Sequence, residues 1–117
     1  MFVSEPKDAS TPLADILDLE YDKLDYEGYT QGIQHWPILL DRNKKIKVRK
    51  TNWTANRTVI AKDNKQNILF LTTEKGFFTL YDFGRFLKES GLNVHTAMNL
   101  DGGYEACMDV DTTNLPT

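Results

Sequence analysis

The chain has 117 residues with 40% hydrophobic and 26% charged residues and a net charge of −3, the composition of one folded domain rather than of a disordered chain. No apolar run approaches the roughly eighteen residues that a membrane span needs, and the opening "MFVSEPKDAS" lacks both the basic start and the apolar centre of a signal peptide. A single cysteine, Cys107, excludes an internal disulfide, and with only His35 and His95 a transition-metal centre is poorly supplied.

Residues 1–31 read as an acidic N-terminal segment of uncertain structure. Residues 1–30 hold eight acids against Lys7 and Lys23, whereas residues 42–50 hold six bases and no acid, so the two stretches are suited to face each other. "STP" suggests a short helix, with Thr11 as cap, Pro12 in the first turn, and Leu13, Ile16 and Leu17 on one face. "GIQHWPILL" reads as a strand through Leu40, at an edge or bulged because Pro37 lacks an amide proton. "DRNKK" is a turn and "IKVRK" the returning strand. In that strand Ile46 and Val48 alternate with Lys45, Lys47 and Arg49, the pattern of a half-buried strand with one solvated face. That pattern outweighs nucleic-acid binding, because no aromatic residue interrupts the basic run for base stacking.

Further along, "RTVIAK" and "NILFLTT" around "DNKQ" form the clearest hairpin. A helix follows from Thr79 to about Ser90. Thr79 and Asp82 have capping-box spacing; Leu80, Phe83, Phe86 and Leu87 form an apolar stripe, and Gly91 supplies the stop. A last strand, Val94 to Leu100, follows the helix, and this crossover places it inside the sheet beside the hairpin. The expected class is α+β, a mixed β-sheet with one long helix packed across a face.

That last strand ends in Asn99-Leu100-Asp101-Gly102-Gly103, an acid followed at once by two glycines. Asp-Gly suits any turn. At the carboxyl end of an inner strand it also suits a ligand site, where glycines permit a sharp exit and close approach to the backbone. His35 and Trp36 have the chemistry to line a sugar site, although a buried core Trp is the commoner arrangement. His95 and Cys107 read as packing residues rather than a nucleophilic pair. Asn52 and Asn56 stand in glycosylation sequons.

"QHWPILL", "RTVIAKD" with its hairpin, "FTLYDFGRFLKESGL" and "NLDGG", in that order, resemble the phosphodiester glycosidase family. The resemblance runs from about Gly32 to Met108, which divides the chain into the acidic segment 1–31 and a family-like domain at 32–117. It corresponds to the latter half of the family's domain, which implies an incomplete domain whose parent is secreted or belongs to the cell envelope. An incomplete sheet would leave an exposed edge suited to self-association.

The resemblance also implies chemistry. The substrate class is a sugar-phosphate diester, cleaved between the anomeric carbon and a phosphodiester oxygen. Arg57 and Asp101 match the family as the catalytic pair, Arg57 toward phosphate and Asp101 as nucleophile, base toward water, or ligand of a divalent cation. No other cofactor is implied. Gly102, Gly103, Asn99 and Gln34 fall on the substrate side. Glu105 stands with them where family members commonly have a serine, and is read as a solvated residue rather than a second catalytic carboxyl. A noncatalytic module binding a glycan or envelope polymer on the same fold is the alternative, with Tyr104 and Glu105 marking lost activity.

Overall fold

A computed structural model describes residues 1–23, 25–76, 78–103 and 106–115. Three layers stack in the order helix, four-stranded sheet, three-stranded sheet, and the four-stranded sheet is buried from both sides. The three-stranded sheet consists of β1 (Phe2–Pro6), β2 (Ala14–Ile16) and β3 (Tyr29–Ile33) in the order β2-β1-β3. The four-stranded sheet consists of β4 (Ile38–Leu40), β5 (Thr58–Asp63), β6 (Ile68–Thr72) and β7 (Val94–Asn99) in the order β4-β7-β5-β6.

The α-helix α1 (Leu80–Glu89) joins β6 to β7 across β5. β6 and β7 run parallel but never touch, because β5 lies between them. Every hydrogen-bonded ladder in the described residues is therefore antiparallel, where a mixed sheet was expected. The α+β class holds.

β5 explains the layering. Its Val59, Ile60, Ala61 and Lys62 are all buried, so it carries apolar side chains to both faces. Val59 and Ala61 join Phe83 and Leu87 of α1 on one side, while Ile60 meets Met98 and Ile16 on the other. Lys62 is buried by reaching Asp15 of β2 at 2.6 Å, a contact that ties the two sheets together.

The helix begins as its sequence requires. Thr79 is extended, and its side chain accepts the amide proton of Asp82 at 3.0 Å, satisfying one of the helix's first free amides. Phe83 and Leu87 are buried, but Phe86 is 48% exposed and stacks outside Phe83; buried Gly84 takes the inner position against Ile46 instead. The stop comes from Ser90, extended and donating its hydroxyl to the Leu87 carbonyl, rather than from a left-handed Gly91.

Three further expectations are corrected. Residues 14–16 form β2 rather than a helix, because Phe2, Val3 and Ser4 of β1 offer an antiparallel ladder to Ile16, Asp15 and Ala14. "GIQHWPILL" is not one strand: β3 belongs to the three-stranded sheet and β4 to the other, with the chain turning between them at a cis Trp36–Pro37 bond. "IKVRK" is not a full strand, and only Ile46 bridges back to Leu40. The bases of residues 42–50 do face the acidic segment: Lys47 pairs with Glu20 at 3.2 Å and Arg42 with Asp22 at 2.5 Å. Among the described residues no helix is long and apolar enough to cross a membrane.

Candidate functional site

Two strands running in opposite directions bring the start of one beside the end of the other. β5 and β7 pair with Val59 opposite Asn99, and the pairing continues beyond both strands: Leu100 donates to the Thr58 carbonyl at 2.8 Å and Gly103 to the Asn56 carbonyl at 2.9 Å. Residue 57 and residues 101–103 therefore share one end of the sheet. The two glycines make this possible for different reasons. A β-carbon on Gly102 would lie 2.5 Å from the Asn56 carbonyl oxygen, and Gly103 has a φ of +77°, a region costly for other residues. Gly102 packs closely against the Asn56–Arg57 backbone, and Gly103 supplies the positive φ of the turn while its amide is consumed in the bond to Asn56.

A cleft of about 740 Å³ opens beside this junction, with Trp36, Arg49, Trp53, Arg57, Gly102 and Gly103 on its walls. Trp36 and Trp53 are 81% and 78% exposed, so Trp36 is a cleft residue and not the core residue that frequency alone favours. Arg57 is fixed in place. Its Nε donates to the Phe78 carbonyl at 3.1 Å and its Nη2 to the Trp53 carbonyl at 2.9 Å. With Nε engaged, the Nη1–Nη2 end keeps donors for an anion. Partial burial lowers the guanidinium's pKa, yet an arginine remains charged across the physiological range.

Asp101, just before the two cleft glycines, has its side chain 80% exposed, with Oδ1 held at 3.0 Å from Nε2 of His35. β4 places that histidine: Ile38 pairs with Met98, and Asn99 donates to the Pro37 carbonyl at 3.0 Å, so the residues just before Pro37 lie alongside those just after Asn99. Sequence reasoning did not join His35 to Asp101. The signal available was that both residues flank strands which must be neighbours if "PILL" and "AMNL" pair.

The remaining candidates divide. Gln34 lines a separate cavity of about 260 Å³ with Asp18, Glu20, His35, Trp36 and Lys47. Asn99 is not on the cleft walls; its side-chain amide lies 3.5 Å from the Trp36 carbonyl and its Oδ1 is buried without a partner among the described residues. Glu105, with Tyr104, lies outside the described residues. Among those described, no set of three His, Cys, Asp or Glu side chains gathers as metal ligands. Cys107 is exposed rather than packed, and His95 is half-buried with Nδ1 2.7 Å from the Thr96 hydroxyl.

Comparison with curated proteins and with solved structures finds no match. The phosphodiester glycosidase family profile matches residues 6–117, a longer stretch than the four motifs span and one that takes in β2 and β3 as well as the cleft. The chain belongs to the phosphodiester glycosidase family.

Proposed function

We propose that this chain hydrolyses the bond between the anomeric carbon of a sugar and a phosphodiester oxygen. The observation carrying this reading is the junction of β5 and β7, which puts a held guanidinium, Arg57, on the walls of one cleft with Gly102 and Gly103, the residues that directly follow Asp101 in the chain. In the reaction the anomeric carbon–oxygen bond breaks and its electron pair leaves on the phosphate oxygen, while water's oxygen bonds to the anomeric carbon and its displaced proton passes to the departing phosphate or to solvent. The departing phosphomonoester is a stable anion, so little proton donation is required of the protein. Its growing charge needs a preorganised cation instead, which the Nη1–Nη2 end of Arg57 supplies. Asp101 supplies the negative charge at the anomeric centre. Gly102 and Gly103 line the cleft on the substrate side, while Asn99 and Gln34, which lie off its walls, are assigned no direct contact with the reacting bond. Glu105 is assigned no catalytic part.

The exposed indoles of Trp36 and Trp53 favour a second reading, a glycan-binding module without turnover, because flat apolar faces stack on sugar rings. Phosphorus NMR of the chain with a panel of sugar-phosphate diesters separates the two. A new phosphomonoester signal supports hydrolysis. Saturable binding with no such signal supports the module.

A further inference from the structure

We infer that His35 is the positioning residue for Asp101, holding Oδ1 so that Oδ2 is the oxygen presented to the anomeric centre; this rests on the hydrolytic reading above. Asp101 needs such a partner. It lies two residues beyond the end of β7, precedes two glycines, and its side chain is 80% exposed, so its own strand does little to fix its rotamer. His35 is better held. Its side chain is 31% exposed, and the backbone just after it is fixed by the Asn99 amide donating to the Pro37 carbonyl and by the β4–β7 ladder from Ile38.

The contact also has a direction. An ionised carboxylate only accepts, so Nε2 carries the proton and donates it to Oδ1 at 3.0 Å. In the neutral ring Nδ1 then keeps a lone pair, and that atom is buried with no partner among the described residues. A ring placed only for packing would not leave a buried nitrogen unsatisfied while directing its other nitrogen to the surface. The arrangement makes sense if the Nε2 contact is what holds the ring there.

The test compares three variants with the parent chain on the diester it hydrolyses. His35→Ala should lower kcat about 100-fold, the scale of a misplaced reacting group, with KM changed less than about threefold. His35→Gln carries a side-chain amide N–H that reaches the same oxygen, and should restore kcat to within about fivefold of the parent. Asp101→Asn should be inactive. An unchanged kcat in His35→Ala, or equal loss in His35→Ala and His35→Gln, would overturn the positioning role. Nitrogen-15 NMR of the imidazole decides the same point without turnover: the parent should show the Nε2–H tautomer, and Asp101→Ala should lose that preference. An Nδ1–H tautomer in the parent refutes the inference. Failure of every diester to react refutes the hydrolytic reading instead, and the ring signal still tells whether His35 holds Asp101.

Discussion

The backbone amide of Gly103 donates to the carbonyl of Asn56 at 2.9 Å, and that bond fastens the exit of β7 to the approach of β5. Arg57 follows Asn56 directly, and Asp101 comes two residues before Gly103. The relative placement of the two proposed reacting groups is thus a property of the backbone, and side-chain substitutions at either group should leave it in place.

Gly102→Ala should therefore harm the fold as well as the cleft. Its methyl group would sit 2.5 Å from a backbone oxygen that cannot swing aside, which should cost about 1–3 kcal/mol as an overpacked site does. Gly103→Ala meets open space but a φ of +77°, and should cost about 1 kcal/mol. Urea denaturation of both variants checks the order, and a neutral Gly102→Ala would mean that the turn is not held against Asn56.

The helix offers a graded test. Phe83 is 3% exposed and packs among Leu39, Val59 and Leu87, so Phe83→Ala should cost about 3–5 kcal/mol. Phe86 stacks on Phe83 from outside at 6.0 Å and is 48% exposed, so Phe86→Ala should cost distinctly less. Equal losses in thermal denaturation would contradict the packing described.

How the two sheets are joined can be tested at Lys62. Its ammonium is 2.6 Å from Asp15 in a site that excludes most water. Lys62→Met should cost about 3–5 kcal/mol by leaving Asp15 half-buried and unpaired. Adding Asp15→Asn to that variant should recover part of the loss, and a double variant as unstable as the two singles summed would show that the groups do not interact.

His95 sets a pH dependence. Burial first, then the positive charges of Lys62, Arg42 and Lys44, lower its pKa from the ordinary 6.5. The unfolded chain thus binds a proton at a higher pH than the folded chain does. This contribution to stability should be constant above about pH 6.5 and fall as the pH drops from there toward the folded value. His95→Gln should flatten that part of a stability-against-pH curve. An unchanged slope would place its origin in the carboxylates.

Local chemistry was enough to read the hairpin and the helix, because each is specified within a few residues: branched side chains on either side of "DNKQ", and the Thr79 hydroxyl three residues before the amide that it caps. Residues 14–16 were misread since Leu13, Ile16 and Leu17 fit a helical face, and only the distant Phe2–Ser4 strand makes them a ladder. The meeting of Arg57 with Gly102 and Gly103 was legible from an antiparallel pairing of two recognisable strands. The contact between His35 and Asp101 was not, because it depends on the chain changing sheets between Ile33 and Ile38.

The most direct measurement follows phosphomonoester release from a panel of sugar-phosphate diesters by the chain and by its Arg57→Lys and Asp101→Asn variants, with circular dichroism to verify folding. Turnover by the parent is expected, with none from folded Asp101→Asn. Arg57→Lys should lose at least about 100-fold, since one ammonium cannot replace a guanidinium that binds two carbonyls and still faces an anion. Release undiminished in Asp101→Asn, or absent from the folded parent across the whole panel, would contradict the proposed site.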